Sequence, residues 1–241
     1  TCRTKFNWAA LDRESIAKSF RDICSEVVGT TTNAQKLHSL FSKNLKKTYP
    51  LKIIKIYDPA IEKGRVFIGG SYFGESDKIK TKCVELNFNY KDPKEKIYLS
   101  RSKLKRMSYI LADTILHEII HMRQYRRRKF KYIPDYESTA ERREQRLEQS
   151  YLGCHDEIDA YSFNIACELL DKFQNQKSAS KYLAKKQHRG NLKSISLQMY
   201  LKAFDHNHDH PIIRKLKKRV IMYLPKAEIG RPYLTNDWIN H

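Results

Sequence analysis

His117, Glu118 and His121 form the pattern His-Glu-x-x-His, the part of this chain whose residue types and spacing could do chemistry. Two histidines four apart on a helix stack on one face, a turn apart, so two imidazole nitrogens can reach one metal ion. Glu118, next to the first histidine, can act on a water held by that ion. A five-residue pattern with three fixed positions arises by chance, so its surroundings must support it. Residues 110–125 do so. Ile110, Leu111, Ile115 and Leu116 are apolar and no Gly or Pro interrupts them, which predicts a buried helix. A catalytic zinc keeps three protein ligands and an open fourth position for water. Here the third ligand must come from elsewhere in the chain. Glu157, on the next convincing apolar helix, is the first choice, followed by Asp159 and then His155. In such a site Glu118 takes the proton of the water and passes it to a leaving amine. Tyr161, one turn from Glu157, is a candidate donor to the developing oxyanion, with Tyr125 and His155 as alternatives.

The elements that must position these residues follow an α+β order. A helix is predicted over 8–28, with Ile16, Phe20, Ile23 and Val27 in one apolar stripe. A second is predicted over 33–47 behind a possible N-cap at Asn33. From residue 51 the period changes to two. Residues 51–57, 65–69 and 83–90 read as strands, and 96–99 as a short fourth. In 83–90, Val84, Leu86, Phe88 and Tyr90 face a core while Glu85, Asn87 and Asn89 face water. Gly69, Gly70 and Gly74 are expected to mark turns, and Gly29 with Thr30–Thr32 a break. The metal-site helix then runs over 102–127. Pro134 and Asp135 make a break. Residues 136–150, charged nearly all round, read as a surface helix or an excursion. A helix starts near His155 or Asp156 after Gly153, and further helices fall at 178–187, 195–204 and 210–224, the last with Pro211 at its first position. The tail from Pro225, with Gly230 and Pro232, is expected to lie irregularly. The organisation expected is a helical region over 1–50, a core over 51–175 and a basic helical region over 176–241 packed on the core.

The 241 residues carry 47 basic and 27 acidic side chains, a net charge of +20, which predicts attraction to nucleic acid or another acidic partner. The densest basic run follows the metal-site helix. Arg126, Arg127, Arg128, Lys129 and Lys131, interleaved with Tyr125, Phe130 and Tyr132, suit phosphate contacts and base stacking. They equally suit the negative end of a helix macrodipole. His206, His208 and His210 form a second histidine cluster, read as a solvated helix cap ahead of a weaker metal-site reading. Five cysteines without a CxxC pair argue against a disulfide framework and for a reducing cytoplasm. No apolar run approaches the roughly 20 residues that span a bilayer, so no membrane partner is expected. The first residue is Thr1 and no signal-peptide pattern follows it, so the numbering is read as starting at a processed or trimmed end.

His117-Glu118-x-x-His121 followed by a glutamate on a later helix resembles the gluzincin branch of the zincin metallopeptidases. The segment Glu157-Ile158-Asp159-Ala160, with Phe163 and Leu169-Leu170 beyond it, is similar to the corresponding helix of ImmA/IrrE-type peptidases and of uncharacterised phage zincin-like proteins. The resemblance covers roughly residues 80–171. It implies a zincin-like fold with a small mixed sheet over the metal-site helix, a Zn2+ cofactor held by His117, His121 and Glu157, and Glu118 as general base. It also implies a phage-related endopeptidase acting on a specific protein or peptide, in the host cytoplasm or a virion, with an extended substrate pairing to an edge strand near 83–90. The chain departs from compact gluzincins in the long charged stretch between His121 and Glu157. SprT-type proteases share the layout and the basic surface, but take a third histidine, a role His155 would have to fill. The alternative from another class is a nucleic-acid-binding or virion structural protein that keeps the fold with little or no catalysis.

Overall fold

The computed structural model of the chain describes residues 7–63, 65–79, 82–134, 136–186 and 192–228. Thr1, Asp135, Gly230 and Pro232 lie outside them. The chain is α+β and divides into two compact units, 1–126 and 127–241.

The first unit contains α1 (Arg13–Ile23), β1 (Thr31–Asn33), α2 (Ala34–Thr48), β2 (Leu51–Tyr57), β3 (Val66–Tyr72), α3 (Gly74–Lys78), β4 (Val84–Tyr90), β5 (Lys96–Tyr98) and α4 (Arg101–Arg127), which reaches the unit boundary. The Asp12 side chain caps α1 at Ser15 N and the Asn33 side chain caps α2 at Lys36 N, each at 2.8 Å. β2, β4 and β3 form a mixed sheet in that order, β2 parallel and β3 antiparallel to β4. Leu86 and Phe88 face the helices. Phe88 packs on Phe41 of α2 at 5.4 Å between ring centroids, and Phe41 on Phe20 of α1 at 4.6 Å. Each such side chain, fully buried, contributes roughly 1.5–3 kcal/mol relative to exposure.

Several expectations change here. Gly69 and Gly70 lie inside β3 and make no turn, while Gly74 opens α3, the short helix in the connection from β3 to β4. Residues 31–33 do not simply break the chain but pair antiparallel with β5. Residues 83–90 supply the central strand, with both edges taken by β2 and β3, so they cannot be the edge strand for a substrate. Centrality also explains why their second face is not wet: Glu85 is buried, and Asn87 and Asn89 are half-buried with their carboxamide oxygens shielded.

The second unit is helical: α5 (Arg143–Gly153), α6 (His155–Phe173), α7 (Gln176–Ala184), α8 (Ile195–Ala203) and α9 (Pro211–Glu228). α6 and α9 form its core, with Ile158, Phe163, Ala166 and Leu169 on one and Ile213, Leu216, Val220 and Tyr223 on the other all buried. α5 begins seven residues later than the predicted 136. Tyr136 instead turns back over Gly153, so closely that a Cβ there would overlap its ring. α9 runs through Pro225 to Glu228, a correction to the irregular tail. Pro225 removes the N–H that would bond the Ile221 carbonyl, a local loss confined to the last turns of α9. No described helix is long and apolar enough to cross a membrane.

Candidate metal centre

α4 is 27 residues long and buries an unbroken run from Ile115 to Met122. Burial here extends beyond the single apolar face of an amphipathic helix. His117, Glu118 and His121 are 6%, 6% and 8% exposed. Burial of three ionisable groups in one turn is costly unless they are paired or hold a cation.

The two imidazoles meet at Nε2, 3.1 Å apart, with rings edge to face. On the far side His121 Nδ1 lies 2.9 Å from Gln124 Oε1. A carboxamide oxygen accepts, so Nδ1 donates, and the lone pair of His121 is left on Nε2. Two nitrogens on one tetrahedral zinc at about 2.05 Å would stand about 3.3 Å apart. The observed pair fits that ion.

Glu118 is set by β3. A Cβ at Gly70 would come within 2.7 Å of Thr114 Cγ2, 2.8 Å of Glu118 Oε1 and 2.9 Å of Glu118 Cγ. Gly70 is therefore the opening through which the Glu118 carboxylate packs against the sheet. β3 pairs with β4 on one side and, among the described residues, with no other strand, so the edge strand beside Glu118 is β3.

Two ion pairs hold α4, one at its middle and one near its C-terminal end. Arg13 of α1 binds Asp113, one turn before His117, through Nε at 2.6 Å and a second nitrogen at 2.9 Å. Near the C-terminal end Arg126 binds Asp77 of α3 at 2.6 and 2.5 Å, and Tyr72 donates to Asp77 at 2.9 Å. Burial by itself pushes the Asp77 carboxyl up, but the Arg126 and Tyr72 hydrogen bonds outweigh it and hold it below its ordinary value.

Glu157 and Tyr161 belong to the second unit. Of the ionisable residues opening α6, Asp156 is bound by Arg128 at 2.6 and 2.8 Å, Asp159 faces Arg219 at 3.4 Å, and His155 is exposed. Glu157 is half-buried among tyrosines. Tyr161 packs edge to face on the fully buried Tyr200 at 5.7 Å. Tyr151 is 51% exposed, yet its hydroxyl is shielded on the Glu157 side. That shielding, followed by the charge of Glu157 and its hydrogen bonds with Tyr161 and Glu157, pushes the Tyr151 phenol up, so it remains a donor. Tyr151 and Tyr200 escaped the sequence reading. They come from α5 and α8, and no spacing links them to Glu157.

Of the basic run, Arg126 and Arg128 are engaged by Asp77 and Asp156, and Arg128 Nε also donates to Lys131 O at 2.7 Å. Arg127, Lys129 and Lys131 are exposed. In the second histidine cluster His210 caps α9 at Ile212 N and lies 4.5 Å from the Phe204 ring, and His208 meets Lys217 at 3.3 Å. The His210 bond to Ile212 N is a helix cap, while His208 faces a lysine instead.

Comparison of the chain with protein-family models, curated proteins and solved structures finds no match.

Proposed function

We propose that the chain is a zinc-dependent endopeptidase of zincin-like fold. The observation that carries the reading is the convergence of His117 Nε2 and His121 Nε2, 3.1 Å apart on a buried helix whose next residue, Glu118, packs against an edge strand. Glu157 is the proposed third ligand. Each of the three offers one ligand atom, the histidines buried and the glutamate half-buried. Its neighbours at the start of α6 favour the choice, because Asp156 and Asp159 already face arginines.

Zinc bound there supplies a Lewis acid and an activated water. Glu118 takes the proton of the attacking water and hands it to the departing amine. Tyr161, with Tyr151 beside it, donates to the carbonyl oxygen as negative charge develops. The substrate lies extended along the edge of β3 that, among the described residues, no other strand pairs.

Glu118→Gln tests the assignment. It keeps the metal and lowers peptide hydrolysis about 10²–10⁴-fold. His117→Ala loses both metal and hydrolysis. Unchanged hydrolysis in Glu118→Gln would sink the proposed mechanism.

A further inference from the structure

The edge of β3 also bears on which side chain a bound peptide must present. Phe67, Gly69 and Ser71 point to the face opposite Gly70 and Glu118, since neighbouring strand residues alternate. Phe67 is 60% exposed, and a Cβ at Gly69 would lie 3.3 Å from its Cε1. The ring therefore leans along the strand over the position where Gly69 has no side chain. On the inner side of Gly69 the cross-strand neighbours are Asn87 and then Ile54. On the outer side, among the described residues, no strand follows.

We propose that Phe67 and Gly69 form a shelf that selects a large apolar side chain in an extended peptide paired to β3. The residue opposite Gly69 must share its face, with Cβ atoms about 4.5–5.5 Å apart across the pair. Gly69 leaves room for the Phe67 ring to lie along the strand, and the exposed face of that ring supplies an apolar wall for a long side chain. The next peptide residue, opposite Gly70, points to the Glu118 side. One position of the peptide is thus read by the shelf while the adjoining one faces the chemistry. A small or charged residue opposite Gly69 leaves the ring in water and gains nothing. The choice of a peptide as occupant rests on the peptidase reading. The selection itself rests on Phe67 and Gly69.

The test uses the full chain as Glu118→Gln with zinc present, so that binding is read without turnover. Blocked octapeptides identical but for one position, occupied by Phe, Leu, Ala or Asp and moved along the peptide, are titrated by fluorescence anisotropy. Phe and Leu at one position are expected to bind about tenfold more tightly than Ala. Adding Phe67→Ala brings that ratio near unity, while Phe67→Leu retains most of it. Circular dichroism confirms that both variants stay folded. No binding, no positional preference, or a preference indifferent to Phe67→Ala overturns the shelf. Cleavage by the zinc-loaded wild type is read in parallel. Cleavage without the preference overturns the shelf and leaves the peptidase reading standing. The preference without cleavage supports the shelf and overturns the peptidase reading.

Discussion

Gly70 is the residue whose role is most out of proportion to its size. Its missing Cβ is what lets Glu118 sit against β3. Gly70→Ala forces Thr114 or Glu118 to move, and the strain predicted is about 1–3 kcal/mol, measurable by urea unfolding. Hydrolysis should fall by more than the stability loss explains, because the displaced carboxylate is the proposed base. Hydrolysis at the wild-type level with a displaced unfolding midpoint would separate packing from chemistry and count against the role of Glu118. The pair of histidines was legible in the sequence, since a spacing of four on a helix fixes the face they share. The hydrogen bond from His121 to Gln124 follows from the same periodicity. The tyrosines around Glu157 were not legible, because Tyr151, Tyr161 and Tyr200 meet through packing of three helices. Arg126 and Arg128 show the same limit. A run of cations says nothing about which of them Asp77 and Asp156 have already claimed.

At the scale of elements, α4 is a fixed platform rather than an isolated amphipathic helix. The Arg13–Asp113 pair sits 10% and 15% exposed, so Asp113→Ala strands a largely buried guanidinium. The predicted cost is about 3–5 kcal/mol, read by urea unfolding, and it should be recovered in part by the double change with Arg13→Met. At the α3 end, Asp77 gives a pH signature. Its carboxyl titrates below the ordinary value of about 3.9, so the stability it contributes is present above that pH and is lost as pH falls toward its folded value. Asp77→Asn should therefore flatten the stability–pH profile below about pH 4, measured as unfolding midpoints from pH 3 to 7. An acid limb as steep as that of the wild type would contradict the assignment. The strands at 51–57 and 84–90 and the helices α2, α4 and α6 lie near where their hydrophobic periods put them, though β4 and α4 are buried beyond the face the period marks. The misread elements had physical causes. Gly69 and Gly70 signal a turn by composition, but here they serve close approach of α4 and of the Phe67 ring. β1 is three residues long, too short for a period, and exists through its pairing with β5. The order of strands, which put 83–90 in the middle, is set by tertiary pairing that alternation cannot encode.

For the whole molecule the net charge of +20 is the property least tied to the metal centre. Lys129 and Lys131 are exposed members of the basic run, so DNA affinity should fall with salt and the slope should shrink by about 2 when both become Ala. A shallow slope in the wild type would remove nucleic acid as a partner and leave the charge as a property of the surface. The α+β class was legible from the order of helical and alternating segments. Division at 126–127 was not, because the chain crosses it at the end of one continuous helix with no linker composition to mark it. The proposed holding of zinc by His117, His121 and Glu157 is tested most directly by metal content. Elemental analysis of the purified wild type should find about one zinc per chain, with His121→Ala and Glu157→Ala each losing most of it. A wild type without zinc after loading, or full zinc content in either variant, would contradict it.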